Sequence, residues 1–305
     1  MRRVRLASEG LGAISRSMAA PQVFDRALLR RRLARAQAGG YAGFLLEAAA
    51  VDLEERLSTV MRPFSLALDC GSPGPAAVPV LQRRATTVIR LAPTPETGTV
   101  VGDEERLPFA GERFDLVVSL LSLQAVNDLP GALVQIRRAM RPDGLFMGCL
   151  LGGGSLAELR QSFLLAEMEV EGGASPRVAP FADLRDLGAL LQRAGFALPV
   201  TDSEMLRVRY ANPFLLMQDL RAMGMTNALV ERRPAGLRRA TLRRAAEIYA
   251  ERFADPDGRV WATFEIVWLS GWTPHSSQQK PLRPGSAKAR LADALGVREQ
   301  RLDED

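Results

Sequence analysis

Two acidic stretches in this 305-residue chain stand where carboxylates can do binding chemistry. One is Asp69-Cys70-Gly71-Ser72-Pro73-Gly74, and the other is Asp103-Glu104-Glu105-Arg106-Leu107-Pro108-Phe109. Each follows a short apolar run. An acid at the end of a strand can accept hydrogen bonds from the hydroxyl or amino groups of a small molecule, and glycines just after it let the backbone approach that molecule. Gln124 and Asn127 follow another apolar run; Asn127 reads first as a cap for the next helix. Nucleophiles and bases are scarce. There is one histidine, His275; two cysteines, Cys70 and Cys149; and two lysines, Lys280 and Lys288. So few Cys and His, so far apart, make no zinc cluster, and no metal is expected. Both lysines sit in a Pro/Gly/Ser-rich tail, which argues against a Schiff-base lysine. Two cysteines make no disulfide framework, in keeping with a reducing compartment. Cofactor chemistry, binding and assembly work remain.

The elements that must position these residues follow from periodicity. Val23, Phe24, Leu28, Leu29 and Leu33 share one side of a helix, which Gly39-Gly40 breaks. A second amphipathic helix runs from Tyr41 to about Val60 and stops at Arg62-Pro63. Strand-like runs then cover Phe64–Asp69, Thr86–Arg90, Gly98–Gly102, Phe114–Leu120 and Leu145–Leu150. A helix capped by Asp128 precedes the turn Arg141-Pro142-Asp143-Gly144. Ser155-Leu156-Ala157-Glu158 reads as a capping box. A helix capped by Asp183, a strand over Leu206–Tyr210, helices over 213–253 and a last strand over Val260–Leu269 complete the pattern. Strands alternating with helices predict an α/β fold, a doubly wound and mostly parallel sheet covered on both faces. The predicted organisation is a disordered leader or misassigned start at 1–20, N-terminal helices at 21–62, and a sheet domain at 63–272. That domain carries a helical insertion at 212–256, and a partly disordered tail follows at 273–305.

The apolar share of 47% and charged share of 25% suit a globular core, and no apolar run is long enough to span a membrane. The net charge is +5, and the first forty residues hold nine arginines against Glu9 and Asp25. No aromatic interleaving or nucleic-acid motif accompanies them, so nucleic acid is not an expected partner. The arginines read as the solvated face of a helix turned to an acidic protein or to the periphery of a membrane. Residues 1–20 have the composition of a mitochondrial presequence, while the preference for Arg over Lys points to a bacterial source. The chain is therefore placed in the cytoplasm if bacterial and in the mitochondrial matrix if eukaryotic.

In this order, the Asp69–Gly74 loop, the Asp103–Phe109 stretch, Phe114–Ser119, Leu123-Gln124 and Pro142-Asp143-Gly144 resemble class I S-adenosylmethionine-dependent methyltransferases. The resemblance implies a seven-stranded methyltransferase-like sheet with S-adenosylmethionine as cofactor. Asp69, Gly71 and Gly74 would form the cofactor loop, Asp103 and Glu104 would border the adenine, and Ser119 would join the cofactor-binding residues. Three departures bear on this. Pro73 and Pro75 stand where the family pattern has glycines, and Arg90 ends the second strand where an acid binds the ribose, with no acid until Glu96.

Outside the sheet, Val23-Phe24-Asp25-Arg26, Gly172-Gly173-Ala174-Ser175-Pro176-Arg177 and the segment Trp268–Pro281 resemble the methyltransferase-like complex I assembly factor five family. Malonyl-carrier-protein methyltransferases of biotin synthesis are also similar. The resemblance implies a protein substrate, a complex I iron–sulfur subunit, with methyl transfer or arginine hydroxylation as the reaction. A non-catalytic assembly factor and a malonyl-carrier-protein O-methyltransferase stay open beside it. Gln124 and His275 are the candidate catalytic residues.

Overall fold

A computed structural model describes residues 22–279 and Gly296. The expected leader, most of the tail, and both lysines lie outside the described residues. Seven strands form one sheet in the order β3-β2-β1-β4-β5-β7-β6. They are β1 (Phe64–Cys70), β2 (Ala85–Ala92), β3 (Val100–Val101), β4 (Phe114–Leu120), β5 (Met140–Leu151), β6 (Ala197–Tyr210) and β7 (Val260–Trp272). Neighbours from β3 through β5 are parallel, and β7 runs antiparallel between β5 and β6. The order of the strands reverses between β1 and β4, which opens a crevice at their carboxyl ends.

Every residue of β4 is buried, as a central strand covered on both faces requires. Leu116, Val118 and Leu120 face one core with α2 (Phe44–Ser58), α3 (Ala77–Arg84), α5 (Ala157–Glu171), α7 (Pro213–Ala222) and α8 (Arg239–Phe253). Val117 faces the other core with α4 (Leu129–Ala139) and α6 (Leu184–Arg193). Both N-caps expected for these two helices form: Asp128 accepts from Gly131 N at 2.8 Å and Asp183 from Arg185 N at 2.9 Å.

Several local expectations are corrected. Arg141–Gly144 is a bulge inside β5 rather than a turn before it, with Asp143 at φ 62° and its N–H bonded to Thr273 O. Ser155 and Glu158 do not cap α5. The Ser155 hydroxyl donates to Glu265 O and accepts from Glu265 N, while Glu158 takes Thr263 Oγ1, so both residues serve β7. The third strand is two residues long, and β6 reaches fourteen.

The first helix, α1 (Arg26–Ala38), is tied down by its entry. Asn127 does not cap α4. Its Oδ1 accepts from the N–H groups of Val23 and Phe24, each at 2.8 Å. Asp25 N donates to Ala228 O at 2.8 Å and Val230 N to Val23 O at 2.9 Å, so the segment before α1 pairs with the loop after α7. Gly224 (φ +73°) lets that loop approach α1, because a Cβ there would lie 3.0 Å from the Leu33 backbone.

Candidate functional site

Two cavities lie under α1 at the carboxyl ends of β1 and β4. The first, of about 110 Å³, is bordered by Gly71, Pro73, Glu104, Leu121 and Ser122, with Arg26, Leu29 and Leu33 of α1 above. The second, of about 260 Å³, lies against α5, α7 and the segment after α7; Leu29, Gln124, Ala125 and Met225 line both.

Asp69, the last residue but one of β1, is wholly buried beneath the first cavity, beside Arg90 in the sheet register. Burial pushes its carboxyl up to about 6, although Ser72 Oγ and Arg90, at 3.1 Å, pull the other way. The Arg90 guanidinium also donates to Ser72 O at 2.9 Å and pairs with Glu96. Gln37 of α1 holds Glu96 as well, at 2.9 Å, and Pro73 O at the same distance. A carboxylate therefore does reach the end of β2, supplied by Glu96 from the following loop.

Gly71 has φ +79°, and a Cβ there would fall 2.3 Å from Glu104 Oε1. That carboxylate is 3% exposed, and burial raises its pKa against the pull of Arg26. Arg26 is the hub. It donates to Asp103 Oδ1 at 2.7 Å, to Glu104 Oε2 at 2.5 Å and to Ala125 O at 3.1 Å. Arg30 adds a second ion pair to Asp103. Burial favours a raised Asp103 carboxyl, but the Glu105 N–H and the two arginines outweigh it and hold it below the usual range.

The solvated basic face expected of α1 holds for Arg31 and Arg35, which are exposed, and is corrected for its other arginines. Arg26 and Arg30 serve these acids, and Arg32 donates to Thr226 O at 2.7 Å. A hydrophobic-stripe reading treats arginines between apolar positions as surface. Here buried carboxylates some eighty residues downstream turn them inward; Val23-Phe24-Asp25-Arg26 was the one sequence signal.

The structure gathers Gly71 and Glu104 around the first cavity. It sets Asp69 and Ser119 beneath it, Ser119 wholly buried with its Oγ 2.9 Å from Ser122 Oγ. Gly74 packs against Leu46, and Asp103 faces α1. Gln124 stands where the cavities meet. Its Nε2 donates at 2.7 Å to the carbonyl of Leu121, a residue at φ 50°, and its Oε1 is buried with no partner. His275 lies elsewhere. Antiparallel β7 pairs Trp272 with Leu145 at the start of β5, so the chain leaves the sheet at the end opposite the cavities. There Gln278 Nε2 donates to Asp143 Oδ1 at 2.9 Å, and the exposed His275 hydrogen-bonds, among the described residues, with Ser277 and Gln278. Cys70 and Cys149 are fully buried, which raises both thiols, Cys149 to about 12.

Comparison with known proteins agrees with this layout. A family model described as a methyltransferase domain matches residues 69–148, the span from Asp69 to β5. The arginine-hydroxylase NDUFAF5 of Danio rerio is 39% identical over 297 residues, covering 92% of this chain and 92% of its own. The Homo sapiens protein of that name is 40% identical over 280 residues, covering 87% and 81%. A malonyl-[acyl-carrier protein] O-methyltransferase of Halorhodospira halophila is 36% identical over 202 residues, covering 66% of this chain and 65% of its own. Among solved structures, the YcgJ protein of Bacillus subtilis superposes with a TM-score of 0.52 at 14% identity, covering 75% of this chain and 99% of that one.

Proposed function

This chain belongs to the NDUFAF5 family of methyltransferase-fold proteins, and we propose that it modifies an arginine side chain of a protein during assembly of respiratory complex I. Hydroxylation is the reaction named for its relatives; its oxygen atom would come from dioxygen with two electrons from an external reductant, since a sulfonium methyl group supplies neither. The similarity to those arginine hydroxylases along nearly the whole of both chains carries the reading. The substrate is an iron–sulfur subunit of complex I. The site of action is the mitochondrial matrix, or the cytoplasm of a bacterium; no helix among the described residues is long and apolar enough to cross a membrane.

The residues present fit S-adenosylmethionine. Gly71 supplies the positive-φ turn beside the cavity, where any side chain would strike Glu104. Glu96 brings to the end of β2 the carboxylate that ribose hydroxyls need, and Arg90 holds it there. Pro73 lines the cavity, and its carbonyl is already engaged by Gln37. Gly71, Glu96, Glu104, Leu121 and Ser122 would hold the cofactor, which when bound supplies a methyl group on a positively charged sulfur. Arg26 neutralises Glu104, and α1 closes the cavity against water.

The test is mass spectrometry of complex I subunits from cells lacking the chain and from cells with it restored. One arginine gains a single oxygen atom only when the chain is present. A gain of one methylene on that arginine makes the protein a methyltransferase of the same substrate. No change on any arginine, together with a biotin requirement in the deleted cells, overturns the reading in favour of carrier-protein methylation.

A further inference from the structure

The second cavity is built to accept something, and its walls say what. Leu156, Phe163, Phe181, Met217, Leu220 and Leu237 make it apolar. One wall is Arg177, Val178, Ala179 and Phe181, at the end of the Gly172–Arg177 loop. Buried Glu167 fastens that loop by accepting from Ser175 N at 2.5 Å, Ser175 Oγ at 2.9 Å and Arg177 Nε at 2.6 Å. Asn227 of the insertion donates to Pro176 O at 2.8 Å, locking loop to insertion. Arg177, the charged residue lining this cavity, has its charge balanced by Glu167, although its Nη2 makes no hydrogen bond.

At the inner end stands Gln124. The Leu121 carbonyl fixes its amide orientation, because turning the amide over would set two acceptors against each other. Oε1 is therefore a committed acceptor, buried and unpartnered, at the junction with the cofactor-side cavity. A buried acceptor without a donor is costly, and an N–H arriving there removes that cost.

An apolar passage ending in one bare acceptor suits a ligand with an aliphatic stem and an N–H tip. We propose that the second cavity is the channel for the substrate arginine side chain, and that Gln124 Oε1 positions its guanidinium at the cofactor-side cavity. This rests on the reading of the chain as acting on arginine. The three methylenes of arginine lie along the apolar walls, and the guanidinium brings the donor. A malonyl group ends in a carboxylate and offers Gln124 acceptors only.

The test uses the full chain with saturating S-adenosylhomocysteine and N-acetyl-arginine methylamide as probe, titrated by saturation-transfer NMR. The wild type binds the probe. Gln124→Leu weakens binding at least tenfold, while S-adenosylhomocysteine still raises the thermal midpoint of that variant. Met217→Trp fills the channel and abolishes probe binding, while S-adenosylhomocysteine still raises the thermal midpoint of that variant, which shows that it folds. Unchanged probe binding in Gln124→Leu or in Met217→Trp overturns the channel. If an oxygen is nevertheless added to the arginine in cells, the proposed function stands and only the channel falls. Binding of malonyl-pantetheine with no binding of the arginine probe overturns both.

Discussion

Arg26 sits where three acceptors converge, and removing it exposes how much the site depends on charge balance. Glu104 is nearly without solvent, so Arg26→Met leaves a buried carboxylate uncompensated. The expected loss is about 3–5 kcal/mol in urea unfolding, with part recovered in the Arg26→Met/Glu104→Gln double variant. Gly71→Ala meets a different obstacle. Its positive φ and the nearby Glu104 oxygen predict a cost of about 1–3 kcal/mol and loss of S-adenosylhomocysteine binding by calorimetry. Asp69 predicts a pH effect. Its folded pKa of about 6 lies above the ordinary 3.8, so between those values the folded state binds more protons than the unfolded one. Stability contributed at this position is therefore lost as pH rises through that window. Asp69→Asn does not titrate, so its stability relative to wild type should rise over the window and level off above it, as followed by thermal unfolding.

At the level of elements, strands were most legible where burial on both faces leaves a continuous apolar run. Phe114–Leu120 was read with its observed bounds for this reason. The edge strand β6 was read only from Leu206 because its alternation of exposed and half-buried positions admits Thr201, Asp202, Ser203 and Glu204, which break any apolar pattern. Ser155 and Glu158 have the spacing of a capping box, yet tertiary partners on β7 claim both side chains. Ser155→Ala should then cost about 1–3 kcal/mol by leaving the Glu265 N–H unpaired, a loss read from the urea midpoint. If Ser155 capped a helix instead, a Ser155→Asp substitution would be tolerated. Beside Glu265 it should destabilise further.

Across the whole molecule, the strands and the glycine-bearing turn after β1 could be read from the sequence because each is one contiguous stretch. The second cavity could not. Its walls come from Phe24, the 3-10 turn Leu123–Ala125, α5, the loop after it and the insertion, and no local pattern encodes their convergence. The role of α1 was hidden likewise, since its partners Asp103, Glu104 and Ala228 are distant in sequence. A chain lacking residues 22–38 should lose the thermal stabilisation given by S-adenosylhomocysteine, read as the absence of a dose-dependent rise in melting temperature. The antiparallel course of β7 has a practical side. Phe24 lines the second cavity, whereas the segment after Trp272 emerges at the far end of the sheet, where Gln278 bonds Asp143. A fluorophore or affinity handle attached at Gln278 therefore sits away from both cavities, whereas one attached beside Phe24 sits against the second.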